Sequence, residues 1–85
     1  MPDRFYPCHC CGFLTLSDPQ SGSYEICPVC FWEDDGQDEI ELHVARGGSN
    51  GCLSLAEART NFAAFRACEE RFTAEVRDPK PIEVP

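Results

Sequence analysis

Hydrophobic positions along this chain fall into three regimes. Phe13-Leu14-Thr15-Leu16 and Ser23-Tyr24-Glu25-Ile26 are two short runs of strand-forming residues. Between them, Ser17-Asp18-Pro19-Gln20-Ser21-Gly22 is dense in turn formers, so residues 12–27 predict a β-hairpin. Residues 33–51 lack a sustained period and are punctuated by Asp35-Gly36, Gly47-Gly48 and Asn50-Gly51. Only Ile40, Leu42 and Val44, alternating with Glu41 and His43, suggest a short strand there. After residue 53 the period changes. Ser54 and Glu57 have the spacing of a capping box, and Leu55, Ala58, Phe62 and Phe65 follow at steps of three and four. This predicts an amphipathic helix. Extending its stripe places Glu69 on the apolar face, so either the helix breaks near Ala67 or Glu69 finds a partner. The prolines of 78–85 cannot continue a helix and predict an extended tail. The organisation expected is one domain over 1–80 with a Pro-rich tail at 81–85.

Length makes the cysteines important. At 85 residues the chain can bury only a limited core, and such domains often need a covalent or metal staple. There are 7 cysteines, an odd number, and the start MPDRFYPC has no apolar signal-peptide core. A reducing cytoplasm with metal-bound thiolates is therefore expected over a secreted disulfide scaffold. No apolar run is long enough to span a membrane.

Cys8-x-x-Cys11 and Cys27-x-x-Cys30 are separated by fifteen residues, a spacing expected of zinc sites. Two residues between cysteines let the chain turn tightly enough for both sulfurs to reach one ion, and two such turns supply a tetrahedron. Gly12 can take positive φ after the first pair, and Pro28 presets a turn in the second. Phe31 stands where a second glycine would be favoured, so the second turn is expected to close differently. Cys8, Cys11, Cys27 and Cys30 are the expected metal ligands, with Cys10 and His9 as weaker candidates in the first turn. Four thiolates leave no open position for water, which argues for a structural rather than a catalytic metal. The zinc-deaminase pattern fails, because His9 is followed by Cys10 and Cys11 and Ile26 precedes Cys27. Iron, held as in rubredoxin, is the alternative to Zn2+; Cys27-Pro28-Val29-Cys30 resembles that protein's second turn, although rubredoxin-like chains space their pairs further apart.

Tyr6-Pro7-Cys8, Cys10-Cys11-Gly12, the string from Tyr24 to Asp35, Asn50-Gly51 and Ser54-Leu55-Ala56-Glu57-Ala58-Arg59 together resemble the bacterial cysteine-rich CPCC domain family. The resemblance implies a small, metal-binding domain and carries no established activity. His9 occupies the position of the proline in the family's name.

Charge narrows the partners. The formal net charge is −8, and Glu33, Asp34, Asp35, Asp38, Glu39 and Glu41 concentrate six acids in residues 31–42 without a base. Nucleic-acid binding leaves a basic footprint, which is missing. The acidic run is either a solvated loop or a docking face for a basic protein partner. It fails the calcium-loop pattern, since aligning Gly36 to the loop's glycine puts Phe31 and Leu42 at ligand positions. Trp32 and Phe31 are expected to cover the metal and pack on Phe62 and Phe65. Cys52 and Cys68 are expected as buried free thiols, and His43 as a solvent-facing side chain.

The fold expected is thus small α+β: a zinc-ribbon-like hairpin with two Cys-x-x-Cys knuckles and one C-terminal amphipathic helix. The function expected is a metal-stabilised interaction domain without catalysis. The rivals are an iron electron carrier and a thiol-redox or metal-handling protein using Cys10.

Overall fold

The computed structural model describes residues 5–17, 22–37 and 39–85. Two strands, β1 (Tyr6–Pro7) and β2 (Leu14–Leu16), pair antiparallel, with Tyr6 opposite Leu16 and Pro7 opposite Leu14. One α-helix, α1 (Leu55–Phe65), follows a long loop segment that contains short 3-10 turns at Glu39–Glu41 and Gly48–Asn50.

The strand pairing corrects the expected hairpin. β2 pairs with the residues before the first cysteine turn, not with Ser23–Ile26. Ile26 instead forms a bridge with Glu33, across the second cysteine turn. Each Cys-x-x-Cys reversal brings its own flanks together, so each makes its own miniature hairpin. Tyr24 adds a local reason: at φ 62° it cannot belong to a regular strand. The segments remain neighbours through side chains, because the Ser17 N–H and hydroxyl both donate to Glu25 Oε1, at 3.0 and 2.9 Å. Most of the expected turn, residues 18–21, lies outside the described residues.

The strand expected at Ile40–Val44 is a 3-10 turn and a bend instead. Ile40 is 91% exposed, so the alternation marks no buried face. Among the described residues the bridge nearby joins Ala45 to Ser54.

Helix α1 starts as its sequence dictates. The Glu57 N–H donates to Ser54 Oγ, and the Glu57 carboxylate accepts from the Ser54 N–H, which satisfies two of the helix's orphan donors. Leu55 and Ala58 are fully buried and Phe62 partly so; Phe65, at the end of the stripe, is exposed. Both alternatives posed for its far end occur. The helix stops at Phe65 because Arg66 turns left-handed (φ 64°), its N–H donating to Phe62 O. Glu69 then pairs with Arg71 at 3.0 Å.

The expected extended tail contains a 3-10 turn, Pro81–Glu83, that packs against β2. Pro81 sits at the first turn position, where a missing N–H costs nothing. Glu83 is buried, accepts from the Lys80 N–H and is clasped by both guanidinium nitrogens of Arg77, each at 2.8 Å. The Arg77 hydrogen bond holds the Glu83 carboxyl at about 2, well below the usual carboxylate range.

The contiguous core comprises Cys8, Cys10, Leu16, Cys27, Val29, Cys30, Trp32, Leu55, Ala58 and Cys68. Half of these are cysteines, so the core and the thiol cluster are one structure. Trp32 is buried in it, with Phe62 packed against the same cluster. The aromatic partners differ from those expected. Phe31 meets Phe72, with ring centroids 4.6 Å apart, and Phe62 meets Phe13 edge-on at 6.3 Å. No helix among the described residues is long and apolar enough to cross a membrane.

Candidate metal centre

Each cysteine pair is presented by the same backbone device. In the first turn the Gly12 N–H donates to Cys8 O at 2.8 Å; in the second the Phe31 N–H donates to Cys27 O at 2.7 Å. Outside these, Cys8 N–H bonds Phe13 O at 2.9 Å and Cys27 N–H bonds Trp32 O at 3.0 Å. The expectation that the second turn closes differently is therefore corrected. Phe31 adopts φ 71° and takes the glycine role.

The two turns bring Cys8, Cys11, Cys27 and Cys30 together, with all four sulfurs within 4.8 Å of one another. The sulfurs of Cys8 and Cys30 lie 3.6 Å apart and those of Cys11 and Cys27 3.7 Å apart. An ion about 2.3 Å from four tetrahedral sulfurs sets them about 3.8 Å apart, so these four are positioned to hold a metal ion. Three of the four are buried and Cys11 is partly exposed. Among the described residues no other group of His, Cys, Asp and Glu is arranged to hold a metal.

The protein supports the sulfurs with further hydrogen bonds. The Thr15 hydroxyl lies 3.1 Å from Cys27 Sγ, and the Val29 N–H donates to the same sulfur at 3.4 Å. Hydrogen bonding from Cys11 pulls the Cys27 thiol down, and the same bond pushes Cys11 up. Cys30 is also pushed up, first by its contact with Cys10. Four closely packed thiols cannot all ionise without a cation to compensate them.

Cys10 is buried beside the cluster, and both it and His9 lie outside the four-sulfur group. His9 is partly buried, and its carbonyl accepts from Arg59 Nε at 2.8 Å. The same arginine reaches Glu39 at 2.6 Å, tying the first cysteine turn to helix and loop. Cys68 is buried as expected; burial raises its thiol to about 12, and its N–H donates to Cys30 O at 2.7 Å. Cys52 is exposed, against expectation. It sits in the turn before α1 and outside the core. His43 is exposed, as expected.

The acidic segment is partly internal. Asp34 and Asp35 are 2% and 8% exposed, which corrects their reading as surface charges. Asp34 Oδ2 accepts from the Ser23 N–H and hydroxyl, at 3.3 and 3.1 Å. Asp35 accepts from the Gln37 N–H, Gln37 Nε2 and Asn50 Nδ2. Gln37 Oε1 in turn accepts the Leu55 N–H at the start of α1. Asn50 holds the Glu33 backbone in both directions, at 2.9 Å each way. Of the remaining acids, Glu41 pairs with Arg46 and Glu39 with Arg59; Asp38 lies outside the described residues. Sequence reading marked Asn50 only as a turn residue and passed over Gln37, because a polar side chain's burial depends on which segments converge on it.

A one-helix domain with four clustered cysteines beside a two-stranded antiparallel sheet defines a cysteine-rich domain whose thiols could bind a metal. The family model described as Cysteine-rich CPCC matches residues 6–83, and the chain belongs to that family. No curated protein and no solved structure matches it.

Proposed function

We propose that this chain is a zinc-ribbon-like domain in which Zn2+, bound by Cys8, Cys11, Cys27 and Cys30, stabilises a protein-interaction module without catalysis of its own. The observation that carries the proposal is the clustering of four cysteine sulfurs within 4.8 Å of one another at the hydrophobic core. When bound, the ion supplies cross-linking and neutralises thiolate charge. With four sulfur donors it keeps no position for a substrate or water. Because few apolar side chains support the core, binding free energy becomes folding free energy.

A net charge of −8 favours a basic protein partner over nucleic acid, in a reducing compartment such as the cytoplasm. Asp34 and Asp35 are spent inside the fold, so a charged docking face would use the acids left at the surface.

Metal analysis of the natively purified chain, followed by chelation, tests the reading. One zinc per colourless chain, with loss of circular dichroism and chemical-shift dispersion on chelation, is expected. A red protein with iron in the site would instead make it an electron carrier, and a chelated protein that keeps its dispersion would remove the folding role.

A further inference from the structure

One sulfur of the quartet faces outward. Cys8, Cys27 and Cys30 are 2%, 0% and 0% exposed, whereas Cys11 is only partly buried. An oxidant in solution therefore meets the cluster at Cys11. Cysteine oxidation follows thiolate character and exposure together. A cation among the four sulfurs keeps all of them deprotonated, and only Cys11 adds exposure to that charge.

The sulfurs also meet across the two turns as two pairs, Cys8 with Cys30 at 3.6 Å and Cys11 with Cys27 at 3.7 Å. A disulfide needs about 2.0 Å between sulfurs, so Cys11 and Cys27 can close by a short movement. Cys10, although next to Cys11 in the chain, is a poor partner. Adjacent Cα atoms lie about 3.8 Å apart, less than the roughly 4.4–6.8 Å that an unstrained disulfide spans. Cys27 is itself shielded: it is fully buried, and the Thr15 hydroxyl and the Val29 N–H both contact its sulfur. It is placed to react with an oxidised neighbour and not with the oxidant.

We propose that Cys11 is the site at which a hydroperoxide oxidises this domain, and that Cys27 then closes a disulfide with it and opens the metal site. With hydrogen peroxide, the Cys11 sulfur attacks one oxygen and the O–O bond breaks. Water leaves after taking up one proton, and a sulfenic acid remains on Cys11. The Cys27 thiolate attacks that sulfur, the S–O bond breaks, and the departing hydroxide takes a second proton to become water. The two sulfurs lose two electrons and the peroxide gains them. Cys8 and Cys30 then remain as two donors of the four that a structural zinc requires. The release of metal rests on the reading of the quartet as a Zn2+ site.

The test is hydrogen peroxide treatment of the metal-loaded Cys52→Ser chain, a substitution that removes an exposed thiol outside the core and so prevents bridging between chains. Free thiols are alkylated, the chain is cleaved after Glu25, which separates the two cysteine turns, and unreduced peptides are mapped by tandem mass spectrometry. A chelating dye reads the zinc released. The first bridge is expected between Cys11 and Cys27, with one ion lost per bridged chain, and dithiothreitol with added zinc should restore the metal. If Cys52→Ser is poorly folded, the unaltered chain at high dilution gives the same map. A first bridge that uses Cys8 or Cys10, or a bridged chain that keeps its ion, would overturn the proposal. A chain purified without metal overturns the Zn2+ reading and the release together, whereas a metal-loaded chain whose Cys11 stays reduced overturns this inference alone.

Discussion

Phe31 repeats in the second cysteine turn the left-handed backbone that Gly12 provides in the first, at φ 71° against 82°. For a residue with a Cβ this conformation costs roughly 1–2 kcal/mol. The offset is the ring, which packs on Phe72 at a 42° tilt and ties the segment after α1 to the knuckle. The substitution Phe31→Ala should keep the strain and lose the ring contact, whereas Phe31→Gly loses both. Phe31→Gly should therefore be the more stable of the two by about 1 kcal/mol, although both fall below the unaltered chain. Chemical denaturation of the metal-loaded variants measures the difference, and a more stable alanine variant would show that strain is not stored there.

Among the three cysteines of the first turn, Cys8 and Cys11 join the cluster and Cys10 does not. Serine at Cys8, Cys11, Cys27 or Cys30 should lower metal affinity by more than the roughly 10–100-fold that removal of a supporting hydrogen bond costs. Serine at Cys10 should preserve one metal per chain and the cobalt charge-transfer bands of a four-thiolate site. A Cys10→Ser protein that loses metal, beside a Cys11→Ser protein that keeps it, would reverse the assignment.

Asn50 is buried and joins three partners: the Glu33 N–H, the Glu33 carbonyl and Asp35. Removing its amide leaves those groups unsatisfied away from water. Asn50→Ala should destabilise the domain by about 2–3 kcal/mol. Asn50→Asp should not rescue it, since a carboxylate cannot donate and would face Asp35. Denaturant midpoints of both variants check this; a near-neutral alanine variant would mean water replaces the amide.

The Glu83 carboxyl is lowered to about 2 by its hydrogen bonds to Arg77. A depressed carboxyl stabilises the fold above its unfolded value, near 4.5, and that contribution is lost as pH falls toward about 2. Glu83→Gln should therefore lower stability by a constant amount from pH 7 to 5, about 1 kcal/mol for a partly exposed pair. Its curve should run parallel to that of the unaltered chain over that range. Denaturation at several pH values measures both curves, and a gap that closes above pH 5 would contradict the assignment.

The local features follow from short-range sequence alone. Ser54 and Glu57 mark the start of α1 because a capping box is made within four residues. The two Cys-x-x-Cys turns are equally local, since the hydrogen bond that closes each runs from the residue after the second cysteine to the carbonyl of the first. That Cys8, Cys11, Cys27 and Cys30 come together was legible for that reason. Only the tertiary structure decided what pairs with what. The strands fold across the cysteine turns instead of between them, because each turn reverses the chain on its own. Asp34 and Asp35 look like surface charges in sequence, but Ser23 and Asn50 arrive from other segments to bond them, beside Gln37 two residues on from Asp35. Cys10, Cys52 and Cys68 are chemically identical in sequence, and their burial separates them only after packing. Phe31 violates a backbone preference that a reading by residue type respects; the violation is tolerated because Phe72, forty-one residues on, supplies the compensating contact.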